Sequence, residues 1–146
     1  MPASNERVDP YLAFRFIVKI DNELYGGFSE CSGLRLETET QDYVEGGLNT
    51  HVHKFPTRTK QSNITLKRGI VDRKLWDWYW KLVRGEIIRK TGSIQVMDAS
   101  GGTAQMTFEF RRAFPVKWIG PDLNAAQNAI AVEQLELAHE WLEYVK

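Results

Sequence analysis

Cys31 is the only cysteine in the 146-residue chain, so an intrachain disulfide is impossible. That usage fits a protein kept in a reducing cytoplasm. Long apolar runs are missing too: nothing approaches the ~20 residues that a membrane-crossing helix needs. The first ten residues, MPASNERVDP, lack the apolar centre of a secretory signal. No excess of either charge exists, because 19 Lys and Arg are matched by 19 Asp and Glu. Proteins that mainly grip nucleic acid carry more positive charge than that. A chain near neutrality is also less protected from self-association.

The chemistry-bearing residues are equally sparse. His51-x-His53 places two imidazoles on one side of an extended segment, but a metal site needs further ligands, and only the distant His139 and Cys31 remain. Cys31 reads as a small buried hydrophobe, with nothing nearby in sequence to activate it. No serine sits in a G-x-S-x-G turn, and Gly101-Gly102 lacks the lysine and helix start of a phosphate cradle. Glu37 and Glu39 share a strand face without a cleft between them. We expect no enzyme, no cofactor and no metal.

What is present suits a single globular domain over 1–146, with 42% hydrophobic and 26% charged residues. A chain of this size buries roughly 70% of its unfolded surface and needs no staple to fold. Residues 1–10 read as a loose tail. Phe14, Phe16, Val18 and Ile20 then alternate with polar residues as a half-buried strand, and Asp21-Asn22 suits a tight hairpin turn. Residues 23–29 read as the return strand, with Leu24, Gly26 and Phe28 on one face. Leu34, Leu36, Thr38 and Thr40 share a face of the next strand, opposite Arg35, Glu37, Glu39, Gln41 and Tyr43. A short strand over 63–67 turns Ile64 and Leu66 inward.

A helix is predicted over about 72–84, with Asp72 as N-cap and Gly85 as stop. Leu75, Trp76, Tyr79, Trp80, Leu82 and Val83 form its apolar stripe, and Arg73, Lys74, Asp77, Lys81 and Arg84 stay wet. Trp78 falls toward the wet side. The helix either plugs one end of a β core or uses Trp78 and its charged face to meet a partner. Strands follow over 88–98, over 103–111 and, past a break at Ala113, over 114–119. Residues 125–131 are alanine-rich and compatible with helix. From Val132 a helical and a strand period compete. The pattern as a whole predicts an antiparallel β sandwich or barrel with one flanking helix.

One stretch resists this description. Residues 46–62, GGLNTHVHKFPTRTKQS, show no period, open on two glycines, and hold Lys54, Arg58 and Lys60 with no carboxylate among them. A structureless connection of that length in a compact domain is usually functional or disordered. Three uses compete: a nucleic-acid loop in which Lys54, Arg58, Lys60, Lys67 and Arg68 meet phosphates and Phe55 stacks on a base, an active-site lid, or an arm reaching another subunit.

A resemblance runs through nearly the whole chain. PYLAFRFIVKIDN, GGFSECSGL, YVEGG, KFPTRTKQSNITLKRGI, the helix with Leu-Trp-x-Trp, RKTGSIQVMD, FPVKWIGPDLNA and IAVEQLELAHEWLE appear in order. Together they resemble the tail-tube proteins of contractile phage tails and phage-tail-like contractile injection systems. Arg111-Arg112-Ala113-Phe114 and Trp141 depart from that pattern by being bulkier. The resemblance implies two packed antiparallel sheets with one helix and a C-terminus mainly of strand. It implies six copies in a ring, and rings stacked into a hollow tube inside a sheath. Partners would be other copies of the chain, the sheath, baseplate and tube-terminator proteins, and tape-measure protein, DNA or an effector in the lumen, with no membrane anchor. Assembly would take place in the bacterial cytoplasm. A tube-initiating protein at the baseplate is the nearest alternative, and a β-rich nucleic-acid module the one of different class. On this reading 46–62 is an assembly arm, with Glu45, Gly46, Gly47, Asn49, His51, His53, Lys54, Phe55, Pro56, Arg58 and Lys60 at the subunit contact. Arg73, Lys74, Asp77, Trp78 and Lys81 would face the sheath.

Overall fold

The computed structural model describes residues 15–25, 28–47, 49–69, 73–97, 104–126 and 131–145. The expected N-terminal tail and Asp72 lie outside them. The described residues form β1 (Arg15–Ile20), β2 (Glu23–Tyr25), β3 (Phe28–Ser32), β4 (Leu36–Tyr43), β5 (His53–Gln61), β6 (Ile64–Gly69), α1 (Lys74–Val83), β7 (Lys90–Met97), β8 (Ala104–Ile119), β9 (Val132–Ala138) and β10 (Trp141–Tyr144). The chain is thus mainly antiparallel β with one helix.

The strands run in the order β2-β1-β7-β8-β9-β6-β3, and β10 pairs with β8 as well. β1 turns into β2 through Asp21 and Asn22, whose φ of 52° and 63° match the mirror-image turn that suits strand twist. The strand expected over 23–29 is instead two strands. β2 pairs with β1 at one end of the path, while β3 pairs with β6 at the other. The separation has a packing reason. Leu24 on the edge strand covers nothing and is exposed, whereas Phe28 and Cys31 pack against the core beside β6.

β8 is the spine. Its first half pairs with β7 and β10, and its second half with β9. The break expected at Ala113 is a change of partner inside one 16-residue strand. Arg112 takes a φ of 56° there, and Ala113 is buried. Val18, Ile20, Ile94 and Phe110 fill one half of the core, and Ile64, Leu66, Leu135 and Leu137 the other. Where β1, β7 and β8 meet, Gly92 leaves room for the Phe110 ring. A Cβ on Gly92 would also stand 2.7 Å from the Lys19 carbonyl oxygen.

The helix is turned relative to its predicted orientation. Leu75 and Trp78 are its buried residues, and Trp78 is only 5% exposed. Trp78 Nε1 donates to the Ile88 carbonyl at 2.9 Å, and the Lys90 ammonium lies 5.2 Å from its ring centre. An indole satisfied in this way is stable out of water, which places Trp78 inside. Trp80 and Val83, expected in the stripe, are exposed instead. Trp76 stacks on Trp80 and meets Trp118 of β8 edge-on at 4.6 Å.

The competition at the C-terminus resolves as strand. Glu133, Leu135 and Leu137 alternate inward along β9. Residues 125–126 form a turn in which the Ala126 amide donates to Asn124 Oδ1. Ala131, just before β9, is in neither helix nor strand, and residues 127–130 lie outside the described residues.

Candidate assembly surface

Residues 36–61 stand apart from the rest of the sheet. The stretch expected to be structureless is half strand: β5 covers 53–61 and pairs antiparallel with β4 as an isolated two-stranded ribbon. Its period is obscured by a bulge. Thr38 faces Thr59 but Thr40 faces Pro56, so β5 carries one residue more than β4 between those pairs. Pro56 brings no amide to the ladder and is tolerated beside such a bulge. The Thr57 hydroxyl donates to the Glu39 carbonyl there.

Both faces of this arm meet solvent. Every residue of β4 is exposed, and so is β5 from 54 to 60. The sequence pattern put Leu36, Thr38 and Thr40 on one face; among the described residues no core lies beneath that face. Tyr43 and Phe55 pack edge-on at 6.1 Å yet remain 56% and 52% exposed, and Val44 and Val52 add apolar surface nearby. A two-stranded ribbon with nothing under it is marginal in water.

Two of the three cations of 46–62, Lys54 and Lys60, find carboxylates on β4. Lys54 Nζ lies 3.6 Å from Asp42 Oδ1, and Lys60 pairs with Glu39. The bonded Glu39 carboxylate pushes the Lys60 ammonium above its ordinary value. His53 Nε2 lies 3.2 Å from Glu45 Oε2, and the His51 and His53 rings meet at 5.1 Å. Arg58 has no ion pair among the described residues. Gly46 and Gly47 form a turn at the tip, and Asn49 is exposed beside it.

The helix surface is basic and shallow. Arg73 lies 3.8 Å from Asp77, and Lys74 3.9 Å from Glu23. Lys81 joins Lys74, Asp77 and Lys90 around a shallow groove whose floor includes Trp78. Of the five residues predicted for this surface, four are exposed and Trp78 is not. Trp80, 40% exposed, is the most exposed aromatic of the helix among the described residues.

Two buried polar arrangements escaped the sequence reading. Arg68, a candidate phosphate contact above, is 1% exposed and bonds to Glu133. Trp118 Nε1 donates to the other Glu133 oxygen at 3.2 Å, and the Arg68 guanidinium lies over the Phe28 ring. The signal was the alternation itself, since Ile64, Leu66 and Arg68 share one face, as do Glu133, Leu135 and Leu137. His139 is the second: it is buried, with both ring nitrogens near main-chain carbonyls. Cys31 is half-buried, and burial pushes its thiol up to about 11. Among the described residues no group of three or more His, Cys, Asp or Glu is placed to hold a metal ion. No helix among them is long and apolar enough to cross a membrane.

Among the described residues the sheet path ends on the outer edges of β2 and β3, and the β4–β5 ribbon pairs with neither, so several strand edges are left for pairing. The chain belongs to the T4-like virus tail tube protein gp19 family, whose pattern it matches over residues 12–143. It is a subunit of the tube of a contractile, tail-like particle. Among solved structures, it is 28% identical to a chain of the PVC sheath-tube complex of an extracellular contractile injection system in the extended state. That match has a TM-score of 0.83 and covers 94% of this chain and 93% of the other. A chain of the PVC sheath/tube terminator is 27% identical at a TM-score of 0.83, over 99% and 100%. A chain of the anti-feeding prophage cap is 26% identical at 0.77, over 89% and 87%. No curated protein sequence matches.

Proposed function

We propose that six copies form a ring, that rings stack into the hollow inner tube of a contractile injection particle, and that 36–61 is laid across a neighbouring copy. The observation carrying this is the ribbon exposed on both faces, whose apolar tip is left uncovered by the described residues. Edge strands left unpaired are a hazard in a monomer. Pairing between neighbours in a closed ring removes them. Head-to-tail contacts within the ring and between rings are both heterologous, and the second is open-ended. In each subunit the sheets pack as a sandwich or barrel. Arg73, Lys74, Asp77 and Lys81 face the sheath, with Trp80 in the part first given to Trp78. Baseplate and terminator proteins hold the ends. Contraction of the sheath drives the tube through a target envelope. Assembly precedes this, in the bacterial cytoplasm.

Likeness to the PVC structures favours an injection particle over a phage, and hence an effector protein over DNA in the lumen. A position at the end of the tube is the second reading, favoured by the likeness to the terminator structure over 99% of this chain. The nucleic-acid module loses its footing, because Lys54 and Lys60 are paired and Arg68 is buried.

Electron microscopy of the purified protein tests the assembly. Because Leu36 stands opposite Gln61, residues 37–60 can be excised and the ends joined by a two-residue turn. The shortened protein should fold as a monomer and form no rings. Normal rings from it would sink the arm.

A further inference from the structure

We infer that His139 couples the root of the arm to strand β10, so that arm direction and the C-terminal edge strand are set together. The ribbon leaves the body through 33–35 and returns through 62–63. These two links touch: Gly33 has φ 89°, and a Cβ there would run into the Asn63 carbonyl. The first link is tied down by Leu34, which packs on the core, and the second by Asn63 Nδ2, which donates to Glu136 at 3.1 Å. The residue between Asn63 and the ribbon is held less closely on its amide side: the Ser62 amide reaches the Arg35 carbonyl at 3.4 Å, and Gln61 Oε1 is buried without a hydrogen-bond partner among the described residues. Its carbonyl side has a shorter contact. His139 Nε2 lies 2.8 Å from the Ser62 carbonyl oxygen.

The other side of the same ring reaches β10. His139 Nδ1 lies 3.2 Å from the carbonyl oxygen of Trp141, the first residue of that strand. Both neighbours are carbonyls, so each contact is a hydrogen bond where that nitrogen carries the hydrogen and a packing contact where it does not; the shorter of the two is to Ser62. The ring is 8% exposed and packs toward Phe110 at 6.5 Å, which limits its freedom to turn. The adjoining Glu140 is held by Arg89 and Arg112. Among the described residues, β10 pairs only with β8, so its other edge is open. A copy that adds to that edge moves the Trp141 carbonyl, and His139 carries the displacement to Ser62. Its consequence for the tube, that joining a neighbour fixes the arm for the next ring, rests on the assembly reading; the coupling itself does not.

The test uses full-length monomer below its assembly concentration, in a Cys31→Ser background. Spin labels at Asn49→Cys on the arm and Asp122→Cys on the body report the arm's direction. His139→Phe keeps a ring beside Phe110 but has no donors; His139→Gln keeps one. We expect the label distance to broaden in the Phe variant and narrow again in the Gln variant. Amide exchange at residues 62–63 should rise about tenfold in the former, as for one lost hydrogen bond of ordinary strength. A Phe variant indistinguishable from the parent overturns the coupling, leaving His139 as packing alone. Should that variant not fold, nuclear magnetic resonance of the parent protein decides: a slowly exchanging His139 Nε2 proton supports the link, and its absence overturns it. Rings formed without 37–60 would remove the assembly reading and leave the monomer distances to be judged on their own.

Discussion

Arg68 and Glu133 stand directly opposite each other on β6 and β9, with Arg68 Nε 2.6 Å from Glu133 Oε1 and both residues out of water. Trp118 satisfies the second carboxylate oxygen, and Phe28 flanks the guanidinium. The pair is therefore closed on several sides by side chains from β3 and β8. Breaking a buried pair leaves one charge without compensation, which typically costs about 3–5 kcal/mol. Glu133→Leu and Arg68→Met should each lower the unfolding free energy by that order, read as a lower urea midpoint at unchanged slope. The double replacement Arg68→Met with Glu133→Leu should cost less than either single one. A double variant at least as damaged as the sum of the two would show that the charges act independently.

Trp78 and Trp80 are two residues apart on α1 and face opposite conditions. Trp78 is buried with its indole hydrogen bonded to Ile88, and removing a large buried side chain costs about 3–5 kcal/mol. Trp78→Ala should therefore lower thermal stability sharply. Trp80→Ala loses a stacked contact with Trp76 on the surface, and its effect should stay near 1 kcal/mol or below. If Trp80 meets the sheath, its replacement should leave tubes intact and weaken their binding to sheath protein in co-sedimentation. The reverse order of stabilities would restore the helix orientation drawn from the sequence.

These two cases show what the sequence could and could not tell. Alternation located β1, β6 and β7 because their apolar side chains turn to the core at every second position, and β8 less cleanly, since a bulge past Pro115 leaves Val116 exposed. It did not mark β5, where a proline and a bulge break the count and neither face is buried. Trp78 was misplaced because a helical wheel weighs hydrophobicity, whereas this indole went inside by giving its hydrogen to Ile88. The C-terminal ambiguity between Val132 and Trp141 had no local solution; pairing with β6 and β8 supplied it. The resemblance only grouped Glu45 to Lys60 as an expected contact surface, and the ion pairs within that group depended on cross-strand register. Register is a non-local quantity, and a bulge shifts it.

Gly92 offers a sharper test of packing at the seam of β1, β7 and β8. Ile20 stands opposite it on one side and Phe110 on the other. A methyl group there would press on the Phe110 ring and on the Lys19 carbonyl, and the backbone cannot yield as a side-chain end would. Overpacking of this kind costs about 1–3 kcal/mol. Gly92→Ala should lower the unfolding midpoint accordingly. Gly92→Ala combined with Phe110→Leu should recover part of the loss. A harmless Gly92→Ala would mean that the Phe110 ring has space to withdraw.

Cys31 turns burial into a pH dependence. Its thiol ionises at about 11 in the folded chain, against 9.0 for the ordinary group, because burial disfavours the thiolate. The folded state therefore holds the proton more tightly than the unfolded one. The contribution is complete below 9.0 and declines as pH rises toward 11, so stability should fall across that window. Cys31→Ala should flatten that part of the profile while leaving the slopes due to other groups. Reactivity gives a second reading, since the thiolate is the reacting form. At pH 8 the two ionisation values imply about a hundredfold less thiolate in the folded protein than in the denatured one. Alkylation of native protein should be slower by at least that factor, and slower still where packing beside Leu66 blocks the reagent. Equal rates in buffer and in urea would show that Cys31 opens to solvent freely, and the fall in stability above pH 9 would then have to come from another group.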